Sequence, residues 1–153
     1  GLMEWKIYLA GEIHSSWRSD IVNRVESEKL PMTFTGPVTD HAASDDCGVK
    51  ILGEEEKKFW HDQKGAKINA IRSRKGLHEC DIVVVRFGDR YKQWNAAFDA
   101  GYGAALGKSL IIMHDAEFQH ALKEVDASAL AVVENNDQLL KIFRYVETGV
   151  LKI

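Results

Sequence analysis

The chain has 153 residues, 45% of them apolar and 28% charged, with a formal net charge of −3; this is ordinary usage for one domain with a proper core. The charge argues against a nucleic-acid partner held on a basic face, because that binding draws on phosphate neutralisation. No apolar run approaches the roughly 18–20 residues that cross a bilayer and no leader segment is visible, so a cytoplasmic protein with no membrane partner is expected.

Gly1 and Leu2, ahead of Met3, read as a cloning remnant, leaving 3–153 as a single domain. The first strand-length apolar run is Trp5–Ala10. The loop GEIHSSW (Gly11–Trp17) follows, and helical periodicity then runs over Ser16–Lys29. Gly11 marks the turn, where backbone N–H groups at a helix start face an anion. Ser15 and Ser16 add hydroxyl donors, His14 is a further donor, and Trp17 offers a flat ring for stacking on a base. The phosphate fingerprints GxxxxGK[ST] and GxGxxG are both absent, so neither a nucleoside triphosphate nor a dinucleotide cofactor is expected.

Met32–Thr35 is the second strand. Gly36–Gly53, rich in Gly, Pro, Asp and Ser and including the acidic Asp40–Asp46, reads as a long mobile loop walling the site. A helix is predicted over Glu54–Glu79. The two cysteines, Cys47 and Cys80, lie outside any CxxC spacing and read as free thiols. The third strand, Asp81–Phe87, contains the β-branched run Ile82–Val85 and is the clearest central strand. Asp81 sits at its far edge and reads as structural, whereas Asp89 follows its other end, in GDRYKQWN (Gly88–Asn95).

The helix predicted over Trp94–Gly107 carries Ala97, Gly101 and Ala105 every four residues, a bare stripe expected to lie close to the sheet. Asp99 stands about 160° around the wheel from that stripe. A fourth strand over Ser109–Met113, a helix over Ala116–Val125 with His120 facing solvent, a fifth strand over Leu130–Val133 and a helix over Asn136–Thr148 complete the chain.

Strands with continuous rather than alternating hydrophobicity, interleaved with helices, indicate a sheet covered on both faces. Five strands and about five helices fit an α/β fold: a flavodoxin-like, doubly wound, mostly parallel sheet in order 2-1-3-4-5. Ligands in such sheets bind beyond the carboxyl ends of the strands, where strand order reverses. There the loops Gly11–Trp17, Gly36–Asp46 and Gly88–Asn95, which follow the first three strands, would meet. Asp89 and Asp99 are then candidates to share catalytic work, one attacking and the other holding a hydroxyl or ring nitrogen. The six histidines form no HxxxH or HxH pair, and no metal site is expected.

IYLAGEIHSSW, DIVVVRFGD and AFDAGYGAALGKSLI resemble the nucleoside 2-deoxyribosyltransferase-like superfamily. With VTDHAASDDCGVKILG and QWNAAFDAGY, they resemble its YtoQ-type branch over nearly the whole chain. The resemblance implies cleavage of N-glycosidic bonds in nucleosides or nucleoside 5′-monophosphates through a glycosyl-enzyme ester on a carboxylate. It places Asp99 as nucleophile and Tyr8, Gly11, Ile13 and His14 as sugar or phosphate contacts. Asp89 comes near an acidic contact, and no cofactor is implied. A homo-oligomer with shared sites is also implied, His120 falling roughly where the neighbouring subunit contributes.

Two departures qualify the pattern. The superfamily nucleophile is Glu in Glu-x-Gly-x-Ala, and Asp99 reaches roughly 1.5 Å less far. An Asp-x-Gly-Thr-like stretch is replaced by Gln93-Trp94-Asn95-Ala96, whose amides hydrogen-bond a hydroxyl but supply no charge. Two functions from different classes therefore stand side by side: an N-glycosidic-bond hydrolase or transferase, and a non-catalytic nucleoside or nucleotide sensor. A plain oligomerisation scaffold has no positive support in the residues.

Overall fold

The apolar runs assemble into one five-stranded sheet in the computed structural model, which describes residues 3–54, 58–90 and 93–152. The strands are β1 (Trp5–Gly11), β2 (Met32–Thr35), β3 (Ile82–Arg86), β4 (Ser109–Met113) and β5 (Ala131–Val133). All neighbours are parallel, in the order β2-β1-β3-β4-β5, the flavodoxin-like arrangement that the sequence predicts. The helices are α1 (Trp17–Ser27), α2 (His41–Leu52), α3 (Lys58–Glu79), α4 (Trp94–Ala105), α5 (Lys123–Ala127) and α6 (Asn136–Thr148).

Successive side chains of a strand point to opposite faces, and the sheet accordingly sorts its residues into two cores. Ile7, Leu9, Val84 and Ile111 join Ile21 and Val25 of α1 and Leu139 and Phe143 of α6. Tyr8, Ala10, Val83 and Ile112 join Leu77 of α3 and Ala96 and Ala100 of α4. Each buried aliphatic side chain contributes roughly 1.5–3 kcal/mol. Filling both faces is why the strands read as unbroken apolar runs. Asp81 is structural, as expected: its Oδ2 accepts the Lys6 N–H at 2.8 Å, tying the start of β3 to β1.

Three expectations need correction. The segment Gly36–Gly53 is not a single loop, because α2, 12 residues long, occupies most of it. Asp40 caps that helix, accepting the Ala43 N–H at 3.1 Å. Gly48, which looked like a loop residue, is where α2 meets α3: a Cβ there would stand 2.4 Å from Lys64 Cβ and 2.6 Å from the Gly65 nitrogen.

The predicted helix over Ala116–Val125 breaks into a 3₁₀ turn, Ala116–Phe118, and the short α5. The chain folds back here to put Asp126 against the buried His114, with Nε2 2.8 Å from Asp126 Oδ2. The His114 Nδ1 lies 2.7 Å from the Asp115 carbonyl oxygen.

Finally, the face of α4 that lies on the sheet is Ala96, Ala100 and Gly103, not the predicted stripe. A Cβ on Gly103 would come within 3.1 Å of Val83, whereas one on Gly101 would meet nothing within 4 Å. Of the predicted stripe, Gly101 and Ala105 look outward, while Ala97 packs partly buried against the edge of the core.

Candidate active site

β1 pairs with β2 on one side and β3 on the other, so the loops leaving β1 and β3 part over the middle of the sheet. Between them opens a cleft of about 600 Å³, within the roughly 300–1,000 Å³ typical of small-molecule sites. Gly11, Glu12, Ile13 and His14 form its floor. Gln93, Asn95, Ala96 and Asp99 at the start of α4 form one wall, with Arg90 from the loop before it. Pro37 and Val38 after β2, with Ser44 and Asp45 on α2, form the opposite wall. The expectation that Gly36–Gly53 walls the site therefore holds for its position, though half of that wall is helical.

Asp99 lies one turn beyond Asn95 and Ala96, so helical spacing brings all three to the same cleft. Its carboxyl is half-buried, and burial pushes its pKa up to about 6, with the Arg18 guanidinium pulling the other way. The group is therefore strongly basic for an aspartate and still mostly ionised at neutral pH. Arg18 sits beneath the β1–α1 turn and donates to three carbonyls: Leu9 at 3.2 Å, Gly11 at 3.1 Å and Glu12 at 2.6 Å. Burial lowers its pKa, while Glu12, Tyr8 and Asp99 oppose that fall. It is a fixed positive charge shared by the whole site.

Gly11 makes the turn possible. Its φ is +101°, and a Cβ would stand 2.1 Å from the Arg86 carbonyl oxygen. The Glu12 N–H donates to that same carbonyl at 2.9 Å, which locks the β1 loop onto β3.

Of the residues singled out from sequence, Gly11, Ile13, His14, Gln93, Asn95 and Asp99 come together in the cleft. Tyr8 lies below it in the core, 1% exposed, with its hydroxyl lacking a hydrogen-bond partner. Burial raises the pKa of that phenol; the neighbouring Asp99 charge adds to the rise, and Ser73 opposes it without reaching hydrogen-bond geometry. The Ser15 hydroxyl turns onto Glu12. Trp17 does not offer a stacking face in the cleft. It packs in the α1 core, its indole N–H donating to the Glu12 carbonyl at 2.7 Å and its ring covered by Arg18.

Asp89 is exposed and does not line the cleft; among the described residues the carboxylates that do so beside Asp99 are Glu12 and Asp45. Trp94 is 73% exposed on the outer side of α4, and His120 is exposed between the 3₁₀ turn and α5. Gln93 lines the cleft, yet its amide is engaged within its own loop. Its Oε1 accepts the Gly88 N–H at 3.2 Å and its Nε2 donates to the Arg90 carbonyl at 3.0 Å.

Glu12 and Arg18 went unnoticed in the sequence, where a charged residue beside a glycine turn looks merely solvated. The signal available was position: Glu12 immediately follows the Gly that ends β1. Among the described residues no three His, Cys, Asp or Glu side chains converge as metal ligands would, and Cys47 and Cys80 are free thiols. No helix among them is long and apolar enough to cross a membrane.

Comparison with known proteins agrees with this architecture. A profile of the family described as nucleoside 2-deoxyribosyltransferase YtoQ matches residues 8–147. A Bacillus subtilis protein, described as uncharacterized protein YtoQ, is 42% identical over 144 residues, covering 94% of this chain and 97% of its own. Two solved structures share the fold. A conserved protein from Enterococcus faecalis has a TM-score of 0.63 at 15% identity, covering 94% of this chain and 99% of its own. A 2-deoxyribosyltransferase from Bacillus psychrosaccharolyticus has a TM-score of 0.52 at 20% identity, covering 88% and 89%.

Proposed function

We propose, from the premise that this chain belongs to the nucleoside 2-deoxyribosyltransferase YtoQ family, that it is a cytoplasmic enzyme cleaving the N-glycosidic bond of a nucleoside or nucleotide. Asp99 is the nucleophile. One of its oxygens bonds to the anomeric carbon as the carbon–nitrogen bond breaks, and the electron pair leaves with the base, which takes a proton from solvent. Water or a second base then displaces the ester and restores the carboxylate. The observation that carries this reading is a half-buried carboxylate, raised to about 6, lining the switch-point cleft. Partial desolvation makes such a group a better nucleophile than an ordinary solvated aspartate.

The fixed Arg18 favours the ionised form of Asp99, and the buried Tyr8 hydroxyl, which feels the Asp99 charge, is a donor still without a partner. The outer side of α4, with Phe98 66% exposed on the same helix as the exposed Gly101 and Ala105, suits a second copy of the chain and a homo-oligomer. Incubation with a panel of nucleosides and their 5′-monophosphates, with free base followed by chromatography, tests the proposal. Base release abolished by Asp99→Asn is the expected result, and a panel left wholly intact would overturn it.

A non-catalytic binding or sensing role is favoured by one specific observation. Where the superfamily pattern has an acid, this chain has Gln93, and its amide is engaged by Gly88 and Arg90. Saturable binding that survives Asp99→Asn, with no turnover before or after, would select that role.

A further inference from the structure

The β1–α1 turn holds a second carboxylate that the catalytic reading leaves without a task. Glu12 has its side chain 5% exposed, and the donors of the turn converge on it. The His14 N–H donates to Oε1, the Ser15 hydroxyl to Oε2 at 2.5 Å, and Nη1 of Arg86 on β3 to Oε2 at 3.1 Å. Burial opposes the charge, but these donors, with the Ser15 backbone N–H, outweigh it and hold the carboxyl below its usual range. The loop after β3 makes room for the group: a Cβ on Gly88 would stand 2.6 Å from Glu12 Cγ. Backbone N–H groups, a hydroxyl and a guanidinium make up a donor set suited to a phosphate. Here the anion they hold is the protein's own.

We propose that Glu12 determines specificity: its carboxylate fills the anion position of the cleft, so the site admits a nucleoside and rejects its 5′-phosphorylated form. This rests on the reading of the cleft as a nucleoside site. A 5′-phosphate entering that position would meet a negative charge already holding the donors, and like charges so placed weaken binding by about tenfold or more.

The test is calorimetric binding of the four 2′-deoxynucleosides and their 5′-monophosphates, together with inorganic phosphate, to the wild-type protein and to Glu12→Ala and Glu12→Gln. The wild type should prefer each nucleoside it binds over the matching monophosphate by about tenfold or more, and should ignore inorganic phosphate. Glu12→Ala should gain phosphate binding, visible also as a phosphate-dependent rise in melting temperature, and should narrow or invert the preference. Glu12→Gln, which keeps the shape and loses the charge, should narrow it by less.

A wild-type protein that binds a monophosphate as tightly as its nucleoside overturns the proposal. So does a folded Glu12→Ala that gains no phosphate binding. A merely structural role would lower the stability of both variants and leave the charge preference unmoved. If no nucleoside or nucleotide binds at all, the catalytic reading fails, while the response of the Glu12 variants to inorganic phosphate still decides whether Glu12 occupies an anion position.

Discussion

Asp99→Asn should make the protein more stable at neutral pH, although it removes the proposed nucleophile. The amide has nearly the shape of the carboxylate and no charge to desolvate. A carboxyl moved from 3.8 to about 6 by burial carries about 3 kcal/mol against its ionised form. Partial solvent access trims this to about 2 kcal/mol. The sign follows from proton linkage: between pH 4 and 6 the folded state holds a proton that the unfolded state has lost, so wild-type stability falls as pH rises. Below about pH 3.8 both states are protonated and the penalty is absent.

Melting curves of wild type and Asp99→Asn should therefore coincide near pH 3.5, separate between about pH 4 and 6, and stay apart above that. The plateau difference should be about 4–8 °C for a chain of this length. A pH-independent offset, or an Asn variant less stable than wild type at pH 7, would show that burial does not strain this carboxylate.

The same titration governs activity: base release should rise with pH around an apparent pKa of about 6 and level off above it, and a rate already maximal at pH 4.5 would contradict the assignment of Asp99. Gly11→Ala should cost about 2–4 kcal/mol in urea unfolding, because the backbone needs a positive φ and the new methyl meets the Arg86 carbonyl; a loss under about 0.5 kcal/mol would mean that the turn relaxes freely. Asp126→Ala should cost about 1–3 kcal/mol, since it strips the buried His114 ring of a partner, and an unchanged urea midpoint would remove this pair from the account of the β4–α5 segment.

The sheet was legible because β-branched runs such as Ile82–Val85 have few alternatives to a buried strand. With the strands placed, the switch-point rule pointed to Gly11, His14, the loop ending in Gln93 and Asn95, and Asp99, and the family resemblance added Ile13. Its failures share a physical cause: composition does not state direction. Ala97–Gly101–Ala105 and Ala96–Ala100–Gly103 are equally small, and only packing against Val83 chose between them. Gly48 reads as a helix breaker until α3 lies against it. Trp17 follows a ligand loop in sequence, yet the first turn of α1 rotates it into the core. Glu12 and Arg18 are charged residues of the kind normally left to water; Glu12 is held by Arg86, far along the chain, and Arg18 by carbonyls that only the fold of the β1–α1 turn brings under it.

The way α2 is mounted has a mechanical consequence. It packs on the front half of α3, where Gly48 meets Lys64 and Gly65 and Asp46 meets His61, while α3 is anchored in the core by residues at its other end, Leu77 among them. The cleft wall carrying Ser44 and Asp45 thus hangs chiefly on α3, as on a cantilever. Its width responds to flexure of one long rod, so a bound guest should damp amide exchange throughout α2 while leaving β3 and β4 as slow as before.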